Sequence, residues 1–184
     1  ENTGIDLAMI MYRQTKRFKI PYTFAEVVSV EKLAEEHFLI HTTDGDYEAK
    51  RVIWAAGTIA KLLNAKNEQE FVGRGISYCA ICDGSFHEKQ DVVVIGGGNS
   101  ALEEALYLAK ICNKVTIITR GHQFRADKVL MEKARNNEKI VLIEHHETIS
   151  FDGSTLLEKV VIRDRDTGQI TELSARGAFI YIGF

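Results

Sequence analysis

Two cysteines and a carboxylate form the most chemically informative stretch of this chain. Cys79 and Cys82 are separated by two residues, and Asp83 follows directly. A C-x-x-C pair is close enough to form a disulfide, which exchanges by thiolate attack through a mixed disulfide. Because the thiolate is the nucleophile, a nearby group must manage one proton, and Asp83 is placed for that role. The spacing favours a redox pair, with zinc binding and inert, packed cysteines as alternatives.

A glycine-rich loop follows the dithiol. Gly96, Gly98 and Ala101 fit the pattern G-x-G-x-x-A. The first glycine permits a tight turn, the second lets a pyrophosphate approach the backbone, and the small third residue lets helix and strand pack closely. The helix N-terminus then offers free N–H groups to phosphates. We predict a dinucleotide-binding loop, with a ligand-free glycine turn as the alternative, and the predicted contacts are Gly96, Gly97, Gly98, Asn99, Ser100 and Ala101.

The next apolar strand bears on the choice of nucleotide. NAD sites place an acidic residue about 20 positions after the loop. Here that place reads Thr119-Arg120-Gly121, without a carboxylate. Arg120 and Arg125 could instead pair with a 2′-phosphate, which favours NADP. The alternative is that these arginines are solvated surface charges.

The composition excludes several classes of function. The chain has 184 residues, 45% of them hydrophobic and 27% charged, and its net charge of -3 gives no electrostatic case for nucleic acid or an anionic membrane. No apolar run is long enough to span a bilayer, and the first residues lack the charged-then-apolar pattern of a signal peptide. We predict a cytoplasmic protein with no nucleic-acid or membrane partner. The histidines, including His145 and His146, lack ligand spacing, so we predict no metal site.

The hydrophobic pattern divides the chain into two domains. A helix over 4–18 precedes an antiparallel β-unit, with strands at 23–30, 37–43 and 47–54 and a turn at Asp44-Gly45. We place the boundary after residue 58.

From Asp91 onward the pattern becomes β-α-β-α-β, which is typical of one half of a doubly wound sheet. The predicted elements are strands at 92–95, 114–119 and 140–143 and helices at 100–111 and 127–136. A β-meander over 157–165 and 170–175 then leads to a last strand, 178–182, that returns to the parallel sheet. The predicted fold class is α/β. Residues 59–184 form a three-layer, Rossmann-like NAD(P)-binding domain that carries the dithiol, and residues 1–58 form part of a second domain.

Several stretches resemble one known family. Cys-Ala-Ile-Cys-Asp-Gly, Val-Ile-Gly-Gly-Gly-Asn-Ser-Ala and Phe-Arg-Ala, in this order and spacing, are similar to low-molecular-weight thioredoxin reductases. The resemblance covers nearly the whole chain. It implies a homodimeric flavoprotein with an FAD domain and an NADPH domain, in which 1–58 belongs to the FAD domain. Both ends look interior to a longer chain, because a helix begins almost at Glu1 and an apolar strand stops at Gly183.

The resemblance also implies a role for each site residue. Electrons would pass from NADPH through FAD to a Cys79–Cys82 disulfide and on to thioredoxin. Cys79 would attack the thioredoxin disulfide, Cys82 would face the flavin, and Asp83 would be the acid–base group. By the same resemblance we expect NADP contacts at Thr119, Arg120, Arg125, Ile182 and Gly183, and FAD contacts at Ala56 and Gly57.

The chain departs from this family in ways that keep alternatives open. Most of the family's FAD-binding segments are absent from these residues, and its basic His-Arg-Arg triplet reads Thr119-Arg120-Gly121. The flavoprotein reductase of alkyl hydroperoxide systems shares the architecture and often uses NADH. A nucleotide-binding module whose dithiol senses redox state without turnover is a third hypothesis.

Overall fold

The structure, a computed structural model, describes residues 3–183 and divides the chain into two compact units, Glu1–Ala56 and Gly57–Phe184. The first unit contains α1 (Gly4–Arg17), β1 (Val27–Ala34), β2 (His37–Thr42) and β3 (Gly45–Ala49). The strands form an antiparallel sheet in the order β1-β2-β3. None of the residues described in this unit is buried.

Helix α1 begins with a capping box. The Asp6 N–H donates to Thr3 Oγ1 at 3.2 Å, and the Thr3 N–H donates to Asp6 Oδ2 at 2.9 Å. These reciprocal bonds satisfy N–H groups that have no partner within the helix. The hydrogen bonds from Thr3 also hold the pKa of the Asp6 carboxyl below its usual value.

Two of the predicted strands in the first unit are displaced. The first strand spans Val27–Ala34 rather than 23–30, and the third spans Gly45–Ala49 rather than 47–54. Pairing with β2 sets both limits, because Ala34 pairs with His37 and Ala49 pairs with Phe38 at the same end of β2. The β-prone residues that follow Ala49 therefore have no strand to pair with in this unit.

The second unit is built around a parallel sheet. Its elements are α2 (Glu68–Phe71), β4 (Ile76–Ser77), α3 (Ala80–Asp83), a 3-10 turn (Gly84–His87), β5 (Asp91–Ile95), α4 (Asn99–Leu108), β6 (Lys114–Ile118), α5 (Lys128–Arg135), β7 (Ile140–Ile143), β8 (His146–Gly153), β9 (Leu157–Asp164), β10 (Ile170–Ser174) and β11 (Gly177–Ile180). The parallel strands lie in the order β4-β11-β5-β6-β7, and β10-β9-β8 form a separate antiparallel meander. As predicted, the last strand returns to the parallel sheet, between β4 and β5.

Both faces of the parallel sheet are covered, which confirms the predicted three-layer α/β fold. Val92 and Val94 of β5 pack in one core with residues of α4 and α5, whereas Val93 and Ile95 pack in a second core with residues of the meander. A strand buried on both faces is continuously apolar, and this explains the run at 92–95. Among residues 3–183, no helix combines the length and the apolar character needed to cross a membrane.

Strand β8 was not predicted from the sequence. It reads His-Glu-Thr-Ile-Ser-Phe-Asp-Gly, and only Phe151 in it is buried. Its register with β9 shifts between Thr148 and Ser150, so its side chains do not keep one alternation along the strand. A half-buried strand with an interrupted register has no clear period-2 signal.

Candidate active site

The two cysteines of the C-x-x-C motif, Cys79 and Cys82, form a disulfide with a Cα–Cα distance of 5.3 Å. Cys79 is the N-cap of α3, and its Sγ accepts a hydrogen bond from the Cys82 N–H at 3.2 Å. Cys79 is half-buried, whereas Cys82 is exposed. The short helix therefore holds both sulfurs at the surface of the second unit, in the oxidised state of a redox pair.

Asp83 is oriented by a serine that precedes the dithiol. The Ser77 hydroxyl donates to Asp83 Oδ2 at 2.6 Å, and Ser77 Oγ accepts the Cys79 N–H at 3.0 Å. Ser77 is buried at the end of β4, so its position is fixed by the parallel sheet. A cavity of about 280 Å³ lies on Ser77 and Asp83, next to His87. Ser77 thus connects the Asp83 carboxylate to the backbone of Cys79, and Asp83 also lines a cavity that is open to water.

Tyr181 joins the dithiol helix to the end of β11. Its hydroxyl accepts the Ala80 N–H at 2.7 Å. Burial, against the lowering effect of the Ala80 N–H and with a smaller contribution from the Glu104 and Asp83 carboxylates, raises the pKa of Tyr181 to about 12. Neither Ser77 nor Tyr181 was predicted as a site residue. Their positions in the sequence were the available signal. Ser77 lies two residues before Cys79, and Tyr181 directly follows the apolar run Ala178-Phe179-Ile180.

The glycine loop begins where β5 ends. Gly96 has φ +151°, and a Cβ there would lie 2.3 Å from the backbone oxygen of Tyr181. At Gly97 a Cβ would lie 2.4 Å from Thr119 Oγ1, whereas at Gly98 it would meet nothing within 4 Å. The first two glycines are therefore needed for packing within the fold. Gly98 instead faces open space, which is the side from which a ligand could approach.

The N-terminus of α4 fits a nucleotide phosphate. Gly98 is its N-cap and supplies no side-chain hydrogen bond to the first turn. The N–H groups of that turn, from Asn99 and Ser100 onward, are thus available to an anion, and the helix dipole favours negative charge there. Ala101 is fully buried and close to Gly96, as the pattern requires of its third small residue.

The Asn99 side chain has another partner. Its Nδ2 donates to Asp127 Oδ2 at 2.8 Å, and its Oδ1 accepts the Asp127 N–H at 2.8 Å. Because Asp127 is the N-cap of α5, this reciprocal pair joins the starts of two helices. The amide of Asn99 positions the loop, while its backbone N–H is left for a ligand.

The three residues predicted at the end of β6 differ in exposure. Thr119 is 7% exposed, and its hydroxyl lies where a Gly97 side chain would stand. Arg120 and Arg125 are exposed, and the Arg125 N–H donates to the Gly97 oxygen at 2.7 Å. The backbone of Arg125 is therefore fixed against the glycine loop, and both guanidinium groups are free to meet a phosphate.

The remaining predicted cofactor residues have few contacts. Ile182 and Gly183 are exposed, and the Gly183 oxygen accepts the Lys61 N–H at 3.0 Å. Ala56 and Gly57 are exposed as well, and a Cβ at Gly57 would meet nothing within 4 Å. These two exposed residues do not by themselves enclose a flavin.

The third cysteine lies outside the site. Cys112 is buried in the core between the sheet and α4, and it is a free thiol. Burial raises its pKa to about 11, against the lowering effect of Lys139. Because the thiolate is the reactive form, this cysteine is an inert packing residue near neutral pH.

Comparisons with known proteins give matches of one kind along nearly the whole chain. Residues 2–174 match the family model described as pyridine nucleotide-disulphide oxidoreductase. The chain is 40% identical over 181 residues to a bifunctional thioredoxin reductase/thioredoxin of Mycobacterium leprae, covering 98% of this chain and 40% of that protein. It is 37% identical over 190 residues to a thioredoxin reductase of Peptoclostridium litorale, covering 100% of this chain and 60% of that protein.

A solved structure agrees with these similarities. The crystal structure of a thioredoxin reductase from Streptococcus pyogenes matches with a TM-score of 0.75 and 38% sequence identity, covering 99% of this chain and 60% of that one. The chain thus spans between 40% and 60% of the length of these relatives.

Proposed function

This chain belongs to the pyridine nucleotide-disulphide oxidoreductase family, and on that premise we propose that it carries the dithiol and the nicotinamide-nucleotide site of a thioredoxin-disulfide reductase. The observation that carries the proposal is the Cys79–Cys82 disulfide, which lies in the same compact unit as the glycine loop. The similarity to thioredoxin reductases supports thioredoxin or a thioredoxin-fold protein as the partner.

The exchange with the partner needs only thiol chemistry. In the reduced pair, the Cys79 thiolate attacks one sulfur of the partner disulfide and releases the other as a thiolate, which forms a mixed disulfide. The Cys82 thiolate then attacks Cys79 Sγ, closes the intramolecular disulfide and releases the second partner thiolate. Two electrons leave the dithiol, and two sulfurs of the partner are reduced. Asp83, held by Ser77, gives or takes the proton that each thiolate requires.

NADP and FAD are the proposed cofactors. The open Gly98 position and the uncapped N-terminus of α4 support a pyrophosphate site, and the exposed Arg120 and Arg125 support a 2′-phosphate. Ile182 and Gly183 would lie along the same nucleotide. When bound, a flavin would supply two-electron chemistry between nicotinamide and disulfide. We propose that it is bound mostly by residues other than those described, with Ala56 and Gly57 at its edge.

The domain limits, oligomeric state and compartment are part of the same proposal. Residues 1–58 would belong to an FAD domain and 59–184 to the NADP domain. The active form would be a homodimer in the cytoplasm, where a C-x-x-C pair of this kind is kept in exchange with cellular thiols.

The test is reduction of a thioredoxin-fold disulfide by the protein that carries this sequence, supplied with FAD and NADPH. We expect Cys82→Ser to remove turnover, because the mixed disulfide then has no internal thiolate to resolve it. Cys112→Ser is the matched control and should keep turnover, because Cys112 is buried away from the dithiol. Turnover that persists in Cys82→Ser would contradict the proposal.

An NADH-dependent reductase of a peroxiredoxin system is the second candidate. The observation in its favour is Thr119-Arg120-Gly121, in which the family's basic triplet keeps one arginine. Steady-state kinetics with NADPH and NADH separates the two candidates. A kcat/KM that is higher with NADH would select the second.

A further inference from the structure

Three side chains that are distant in the sequence meet beyond the carboxyl end of the parallel sheet. His122 follows β6, His145 lies between β7 and β8, and Asp166 lies in the turn between β9 and β10. One imidazole nitrogen from each histidine and a carboxylate oxygen of Asp166 lie within 4.8 Å of one another. The two rings are stacked with centroids 3.6 Å apart, and His145 Nδ1 lies 2.8 Å from Asp166 Oδ2. None of these residues belongs to the dithiol or the glycine loop.

The backbone holds His145 between the other two loops. Its N–H donates to the Gly121 oxygen at 2.9 Å, next to His122, and its carbonyl accepts the Arg165 N–H at 3.0 Å, next to Asp166. His145 has φ +56°, a left-handed conformation that is uncommon for a residue other than glycine. The two hydrogen bonds stabilise this left-handed conformation of His145.

Asp166 is presented by an ordered turn. The N–H groups of Asp166 and Thr167 both donate to Asp164 Oδ1, at 2.8 and 2.9 Å. These hydrogen bonds lower the pKa of the Asp164 carboxyl, which therefore stays an acceptor. The donor groups are thus largely pre-organised, and the exposed His122 side chain is the part that remains free to adjust.

The donor set matches the preferences of zinc. Zinc takes imidazole nitrogen and carboxylate oxygen at about 2.0 to 2.2 Å, usually with four ligands in a tetrahedron. A tetrahedral pair of such ligands is about 3.3 Å apart. To hold an ion, His145 Nδ1 and Asp166 Oδ2, now 2.8 Å apart, would separate slightly, and the exposed His122 ring would turn out of its stack on His145. The ion would take the place of the proton shared by His145 and Asp166. Three protein ligands leave the fourth position to water.

We propose that His122, His145 and Asp166 form a binding site for one divalent transition-metal ion of the zinc class. The ion would connect the loop after β6, the turn after β7 and the turn after β9. This inference concerns residues outside the proposed redox chemistry and does not depend on it.

The test is calorimetric titration of the oxidised chain with zinc chloride, without reductant. The oxidised state is essential because a reduced Cys79–Cys82 pair would itself bind zinc. We expect one ion per chain, and at least about tenfold weaker binding in His122→Ala and Asp166→Asn. Both side chains are exposed, so these changes leave the core intact. His41→Ala is the matched control, because it removes an imidazole that lies 2.9 Å from Asp46 Oδ1 without a second histidine in that pair.

Electron paramagnetic resonance with Cu²⁺ gives an independent reading. The spectrum should show coupling to two imidazole nitrogens in the unsubstituted chain and to one in His122→Ala. Zinc binding that is unchanged in His122→Ala, or weakened equally in His41→Ala, would overturn the proposal. So would a Cu²⁺ spectrum that is the same in both proteins.

Discussion

Phe24, in the first unit, is 93% exposed, whereas Phe151, in the second unit, is completely buried. The same contrast holds for the units as wholes. Among the residues described, the buried apolar side chains all belong to the second unit, where they form two cores on either side of the parallel sheet. The first unit keeps its helix and sheet through caps and strand pairing. Buried packing fixes positions more rigidly than exposed hydrogen bonds do, so the precise geometry of the site depends on the second unit.

The largest difference between the two units is expected from a matched pair of phenylalanine substitutions. We expect Phe151→Ala to lower the free energy of unfolding by about 3 to 5 kcal/mol, because it leaves a cavity in a packed core. Phe24→Ala should change it by about 0.5 kcal/mol or less, since the side chain is already exposed. Urea unfolding followed by circular dichroism measures both. Similar losses in the two variants would show that the units do not differ as described.

Two glycines with similar backbone angles sharpen the comparison further. Gly96 has φ +151° and Gly45 has φ +138°, so alanine is strained at both positions. Only at Gly96 does the added Cβ meet an atom, the Tyr181 oxygen at 2.3 Å. We expect Gly96→Ala to cost about 3 kcal/mol and Gly45→Ala about 1 kcal/mol. Thermal unfolding of the two variants gives the difference, and equal costs would mean that backbone strain alone decides.

The effect of alkaline pH is smaller and is specific to the second unit. The folded state raises the pKa of Tyr181 to about 12, above the usual value near 10. This contribution to stability is fully present below pH 10 and is lost as the pH rises toward 12. We therefore expect Tyr181→Phe to lose less stability than the unsubstituted chain over that interval. Denaturant unfolding at pH 8 and at pH 11.5 measures the slope, and parallel slopes would contradict the prediction.

The smallest effect should come from the helix cap of the first unit. Thr3→Ala removes the hydroxyl that accepts the Asp6 N–H, and with it one half of the capping box. Since α1 has no buried residue, the loss should remain local and appear as amide hydrogen exchange that is a few-fold faster in the first turn. Faster exchange throughout α1 would show that the cap controls the whole helix.

Local sequence patterns correctly predicted the parts of the fold that are determined by residues close together in the sequence. The run at 92–95 and the pattern of Gly96, Gly98 and Ala101 correctly predicted a strand, a glycine turn and a helix, because these three elements are consecutive. Strand ends in the first unit were misplaced because a partner strand sets them. The group of His122, His145 and Asp166 was missed for a similar reason, since only the sheet and the meander bring these loops together.

The bond between Tyr181 and the dithiol helix has one further consequence. α3 is only four residues long, and so short a helix has little stability of its own. Ala80 is fully buried, and its N–H, the first of the helix, donates to the hydroxyl of Tyr181, which directly follows the last strand of the sheet. That amide should therefore exchange with deuterium as slowly as those of the core strands. The exchange rate of this amide would show whether α3 keeps its hydrogen bond to Tyr181 after the Cys79–Cys82 disulfide is reduced.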